Sequence, residues 1–212
     1  MSSHNSDTPS FYVAGLQRSG TNWLREYLTL NTDLPHADKP FWKHSMVQNH
    51  YRSASSKNVS TVVVVKSPYK WIKSIRRQPV DVSRHFRGKD YHGTDEQLIG
   101  LWCEWHRRVL DAVNPYNQIM IVKYEDILAN PIMFLKQFAN FADCNVVLPP
   151  KPVQYKAGII LPKERKDFYL APDKDNDTFN LNINEYLDFG VMADLGYRVV
   201  KDESKGDDGI RR

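Results

Sequence analysis

Three short runs of this sequence carry residue types that handle anions, and each stands at a break between apolar stretches. The first is Gly15-Leu16-Gln17-Arg18-Ser19-Gly20-Thr21-Asn22-Trp23. At a turn from strand to helix, successive backbone N–H groups and the positive end of the helix converge on one point, which suits a phosphate or sulfate. Gly20 lets the backbone approach closely, and Arg18 adds a fixed charge with a fork of donors. The second run is Lys66-Ser67-Pro68-Tyr69-Lys70-Trp71-Ile72-Lys73-Ser74, in which a cation and a hydroxyl lie about two helical turns apart. The third is Tyr124-Glu125-Asp126, with Asn130-Pro131 behind it. Each has a plainer reading: a glycine pair suits an ordinary tight turn, Ser74 a solvent-facing helix position, and Tyr124 a packed aromatic.

The elements that must position these runs follow from hydrophobic pattern and turn chemistry. Ser10 to Ala14 reads as a strand, and Trp23, Leu24, Tyr27, Leu28 and Leu30 follow a helical period after it. Thr61 to Val65 is β-branched without alternation, the pattern of a strand buried on both faces. Ser67 and Pro68 then suit the N-cap and first position of a helix whose apolar side is Trp71, Ile72 and Ile75. Thr94-Asp95-Glu96-Gln97 predicts a capping box opening a helix with Leu98, Leu101, Trp102, Trp105, Val109 and Ala112 on one side. Gln118 to Val122 predicts a third strand, and Asn130 caps a helix with Phe134, Leu135, Phe138 and Phe141 inward. The stretch 145–177, rich in Pro, Lys and Asp, reads as loop, and Ile183 to Leu195 as a last helix stopped by Gly196. Strands alternating with helices predict an α/β fold: a single domain of three layers around a central parallel sheet, with a P-loop-like anion-binding turn after the first strand. Ligands of such sheets bind at the carboxyl ends of strands, so the turns after Ala14, Val65 and Val122 should face one site. The domain is expected over 10–200, between a disordered start at 1–9 and a charged tail at 201–212.

Composition narrows the class of function. The longest strongly apolar stretch, Val62 to Val65, is strand-sized, and no run approaches the roughly 18 apolar residues that a membrane span needs. Residues 1–9 are polar and lack the apolar centre of a signal peptide. The 2 cysteines, Cys103 and Cys144, stand far apart in no metal-like spacing, which speaks for a reducing cytoplasm and against a disulfide framework. Net charge is only +4, but Lys66, Lys70, Lys73, Arg76, Arg77, Arg84, Arg87 and Lys89 crowd together with Asp81 as the sole carboxylate among them. Such a cluster is either a solvated face or an anion site, and charge alone does not separate a phosphorylated small molecule from nucleic acid.

The spacing of the first run is near that of a Walker A loop, G-x-x-x-x-G-K-S/T, yet Thr21 stands where the lysine must be, which speaks against an ATPase, GTPase or nucleotide kinase. Arg18-Ser19-Gly20-Thr21-Asn22-Trp23 instead resembles the 5′-phosphosulfate loop of sulfotransferases that use 3′-phosphoadenosine-5′-phosphosulfate (PAPS). Lys66 to Ser74 resembles that family's 3′-phosphate segment, which opens R-N-P-x-D and closes on a serine, with Lys for Arg and Lys70 near the usual Asp. Tyr124-Glu125-Asp126 resembles its Y-E-D-L stretch, and Leu195-Gly196-Tyr197 the close of its fold. The resemblance covers residues 10–145 well and 183–200 loosely. It implies a PAPS donor, with Gln17, Arg18, Ser19, Gly20, Thr21 and Asn22 around the phosphosulfate, Trp23 and Tyr124 at the base, and Lys66 and Ser74 on the 3′-phosphate. A lysine meets phosphate as a point charge, so Lys70, Lys73 or Arg76 would assist Lys66. The C-terminal R-K-G-x-x-G-x-x-K segment of cytosolic members is missing, and Lys163, Arg165 and Lys166 are the candidates for its role.

Sulfuryl transfer needs a base for the acceptor's proton, positive charge on the departing oxygens, and in-line geometry. Arg18 suits the second role. His44 is the first candidate for the base: it titrates near neutrality, and its sequence separation from Lys66 matches the family's histidine. Asp38, in Asp38-Lys39-Pro40-Phe41-Trp42, is the rival, since some carbohydrate and protein sulfotransferases place a carboxylate there. His36, His50, His85, His92 and His106 have no supporting motif. The expected reaction gives 3′-phosphoadenosine-5′-phosphate (PAP) and a sulfated small molecule or carbohydrate, with a hydroxyl acceptor or an amine as the alternative. No metal, nucleic acid or membrane is expected. The competing readings are a kinase-like P-loop nucleotide-binding protein and a non-catalytic module for PAP or polyanions.

Overall fold

The computed structural model describes residues 8–37, 44, 58–77, 93–113, 118–153, 163–175 and 177–202, with the side chains of 163–165 left out. Statements below concern these residues. Asp38, Trp42, Lys43, His50, His85, His92 and the basic positions Arg84, Arg87 and Lys89 lie outside them.

Strands β1 (Ser10–Ala14), β2 (Val59–Val65) and β3 (Ile119–Lys123) form a parallel sheet in the order β1-β2-β3. The central strand is buried from Ser60 to Val65, as its unbroken run of valines requires. Period-2 alternation then sorts the side chains onto two faces. Phe11, Val13, Val62 and Val64 pack under α1 (Thr21–Asn31), α4 (Tyr124–Ala129) and α5 (Pro131–Ala142). Tyr12, Ala14, Val63 and Val65 pack under α2 (Pro68–Arg77) and α3 (Asp95–Ala112), joined by Ile183, Val191 and Met192. The chain is thus an α/β domain of three layers with its sheet in the middle.

Local signals held where turn chemistry was explicit. Thr94 accepts from Gln97 N while the Gln97 side chain accepts from Thr94 N, so the capping box is complete. Asn130 accepts from Met133 N ahead of Pro131 at the start of α5. Four expectations are corrected. The stretch 145–177 is not all loop: α6 (Lys163–Leu170) forms within it. The helix expected over Ile183 to Leu195 is two, α7 (Thr178–Asn184) and α8 (Phe189–Asp194). Asp177 caps the first and Asp188 the second, and Asp188 accepts from the N–H groups of Gly190 and Val191. Leu30, counted in the apolar period of α1, is exposed. The hydroxyl of Ser67 turns to Asp173 (2.6 Å) and not to its own helix. No helix here is long and apolar enough to cross a membrane.

Candidate functional site

The carboxyl ends of the three strands meet, and the three anion-handling runs meet with them. Between β1 and α1 the chain turns tightly, with Ser19 N–H donating to the Leu16 carbonyl (3.1 Å). Arg18 has φ 67° and Gly20 φ 97°. A left-handed arginine is uncommon and costs on the order of 1–3 kcal/mol, a strain characteristic of ligand-binding loops. At Gly20 two constraints coincide. A Cβ there would lie 2.5 Å from Tyr124 Cε2, so only glycine fits against the ring. The loop is pinned on its other side by Trp71, whose indole donates to the Gln17 carbonyl (2.8 Å).

The side chains along this loop differ in their surroundings. Ser19 is fully buried, and its hydroxyl, like Gln17 Oε1, has no hydrogen-bond partner among the described residues. Thr21 is buried and Asn22 exposed. Helix α1 starts on glycine, with no acidic residue in its first turn to offset its positive end. An orphaned hydroxyl, an uncompensated helix end and an arginine on one tight turn are suited to a bound oxyanion.

Lys66 leaves the end of β2 and is 2% exposed. Its ammonium donates to the Arg18 carbonyl (2.5 Å), so the second run is tied to the crest of the first. The same Nζ lies 4.6 Å from the centroid of Tyr124 and 4.3 Å from that of Tyr169. Ser74, on α2, donates to the Lys70 carbonyl (2.8 Å), with Tyr169 Oη 3.3 Å from its oxygen. Lys70 donates to the Tyr169 carbonyl (2.8 Å). Lys73 and Arg76 are directed elsewhere: the first reaches Asp177 (3.4 Å), and the second Asp95 (2.6 Å) and the Gly93 carbonyl (3.0 Å). Of the three cations expected to assist Lys66, Lys70 alone shares its neighbourhood.

His44 is buried, with Nδ1 2.6 Å from the Gly15 carbonyl. A carbonyl only accepts, so Nδ1 is the donor, and in the neutral ring Nε2 is the basic nitrogen. The histidine singled out by its spacing therefore stands at Gly15, the first residue of the turn between β1 and α1. Asp38 lies outside the described residues. Trp23 is buried, stacked on Tyr27 at 4.9 Å and edge-on to Tyr124 at 6.1 Å. Beside it opens a cleft of about 240 Å³, lined by Trp23, Tyr27, Leu128, Pro150 and Pro152 with Lys151 and Lys166 among its walls.

Two residues had roles that the sequence did not assign. Tyr169, on α6, touches Lys66 with its ring, Ser74 with its hydroxyl, Lys70 with its carbonyl, and Tyr124 edge-on at 5.1 Å. Glu125 accepts from Ser67 N (3.2 Å) and from the Tyr197 hydroxyl (3.1 Å), fastening the turn after β2 to the C-terminal segment. Burial raises its carboxyl above the usual range, and the Lys70 and Lys66 ammoniums pull in the opposite direction. Burial and the nearby Glu125 likewise push the Tyr197 phenol up. The described residues contain no cluster of three or more His, Cys, Asp or Glu suited to a metal ion.

No family model matches the sequence, and no curated protein matches it. Among solved structures, a sulfotransferase domain from the curacin biosynthetic pathway aligns over 91% of this chain and 99% of its own, with a TM-score of 0.49 and 13% identity.

Proposed function

We propose that this protein is a PAPS-dependent sulfotransferase, transferring a sulfuryl group to a hydroxyl of a small molecule or carbohydrate and releasing PAP. One observation carries the reading: the Lys66 ammonium meets the Arg18 carbonyl at 2.5 Å, so the two runs that resemble the 5′ and 3′ anion segments form one site. The residues fit such a donor. Ser19 has a buried hydroxyl to offer an oxyanion, Lys66 and Ser74 supply charge and a hydroxyl for a second phosphate, and the cleft beside Trp23 is walled by rings that suit a base.

In this reading the donor supplies the activated sulfuryl group. His44 Nε2 takes the acceptor's proton while the acceptor oxygen bonds to sulfur. Arg18 and the amino end of α1 stabilise the bridging oxygen, which keeps the electron pair of the breaking S–O bond and leaves on PAP. Lys66 and Ser74 hold the remote phosphate, converting its binding energy into alignment. The free thiols of Cys103 and Cys144 suit a reducing compartment.

A thermal-shift series with PAP, AMP, ATP and GTP tests the donor. PAP is expected to raise the melting temperature well above any effect of AMP, which lacks the phosphate that Lys66 and Ser74 would hold. Equal shifts from PAP and AMP would remove the 3′-phosphate assignment, and a shift from ATP or GTP alone would favour a kinase-like protein.

A further inference from the structure

Three groups assigned above to the 3′-phosphate are engaged by one residue of α6. The ring of Tyr169 lies over the Lys66 ammonium at 4.3 Å, its hydroxyl is 3.3 Å from Ser74 Oγ, and its carbonyl takes the Lys70 ammonium at 2.8 Å. Lys66 is left 2% exposed and Ser74 5%. A phosphate needs direct contact with donor hydrogens, and two tyrosine rings with an inward bond to Arg18 O close Lys66 off. Just beyond α6 the chain is fastened again: Ser67 Oγ donates to Asp173 (2.6 Å), and Arg198 pairs with Asp175 (2.7 Å). One turn back, Lys166 lines the cleft beside Trp23. The α6 segment therefore lies across the expected position of the remote phosphate and only borders the cleft expected for the base.

We infer that α6 and the residues after it, as far as Asp173, form a strap over the nucleotide site, with Tyr169 a gate residue that a 3′-phosphate must displace. The ring, hydroxyl and carbonyl of Tyr169 stand where the phosphate would stand, so ligand and strap compete for Lys66, Ser74 and Lys70. The strap selects by chemistry. A nucleotide with a 3′-phosphate offers these groups a stronger partner than a phenol does, whereas one without it gains nothing by opening the strap. This inference rests on the donor reading.

The test locks the strap. Ser67→Cys with Asp173→Cys sets two thiols where the side chains now meet, and thiol titration follows bridge formation. PAP binding is measured by calorimetry on the oxidised and reduced double variant and on wild type, with AMP as control. The expected result is PAP binding at least as tight as wild type when reduced, since a fastening of the strap is lost, about tenfold weaker or absent when oxidised, and AMP binding that ignores the bridge. In parallel, Tyr169→Ala is expected to tighten PAP binding several-fold, because the competent state no longer has to be won from the ring. PAP binding that is equally strong with the bridge closed overturns the inference, as does a Tyr169→Ala variant that binds PAP more weakly, which would make Tyr169 a ligand and not a gate. Failure of wild type to bind PAP at all removes the donor reading and this inference with it.

Discussion

Gly20→Ala puts the tightest point of the site under direct test. Gly20 holds φ 97°, where an L-residue carries a steric penalty of about 1–2 kcal/mol. The added methyl would also stand 2.5 and 2.6 Å from two ring carbons of Tyr124. Carbon atoms rest at about 3.5–4.0 Å, so the ring must retreat by about 1 Å. It has little room, because Trp23 and Tyr169 meet it edge-on and Lys66 lies over it. Overpacking of this kind costs about 1–3 kcal/mol. Together the two effects give roughly 2–5 kcal/mol, which for a domain of this size lowers the melting temperature by about 4–20 °C. Calorimetric melting gives the stability, and PAP titration gives the site. The two causes separate in a Tyr124→Leu background: there the methyl meets a smaller side chain, and Gly20→Ala should cost only the backbone penalty of about 1–2 kcal/mol. A variant that melts within a degree or two of wild type and binds PAP normally would refute the argument, since neither the ring contact nor the backbone strain would then matter.

Two further outcomes follow from the protonation states. His106 is fully buried, its Nδ1 donates to the Trp102 carbonyl, and burial depresses its pKa from 6.5 to about 3. The unfolded chain takes up a proton below about 6.5 while the fold refuses it, so this stability is complete above that pH and lost as pH falls towards about 3. At pH 5 the loss should be about 2 kcal/mol, and chemical denaturation at pH 7 and 5 should show less dependence in His106→Phe than in wild type. At the site, His44→Ala should abolish transfer and leave PAP binding nearly intact, whereas Asp38→Asn should retain transfer. The opposite pattern in a labelled-PAPS assay would assign the base to the carboxylate.

How far the sequence could be read depended on whether a residue's task was local. The strands, the capping box and the Asn130-Pro131 start were legible because each is determined by its own few residues. The turn between β1 and α1 was legible for the same reason, with Arg18 and Gly20 at positive φ. Helix α6 was not. Its large apolar residues Phe168, Tyr169 and Leu170 are consecutive and mark no helical face, and Tyr169 takes its meaning from Lys66, Ser74 and Tyr124, all distant in the chain. The division of the last helix was written in Asp188, an aspartate two residues before Gly190, but an apolar period running through it masked the cap. Trp71 belonged to the core as expected, yet its indole nitrogen also holds the turn between β1 and α1, and burial patterns do not report where a polar edge points.

The order of the strands has a consequence for how the molecule comes into being. Ser10 pairs with Val59 and Thr61 with Ile119, so each described strand contact closes a long excursion of chain. Parallel pairing has no hairpin to start from, and the entropy of each closure is lost before any contact compensates for it. Such topologies fold slowly for their size and expose sticky edges on the way. The three turns at the strand ends come together only when both closures are complete. A partly assembled chain can therefore hold helices and even a strand pair without bringing Arg18, Lys66 and Tyr124 together. Recovery of ligand affinity after dilution from denaturant should trail the recovery of helical signal, and an anionic ligand present during refolding would favour completed molecules over those arrested along the way.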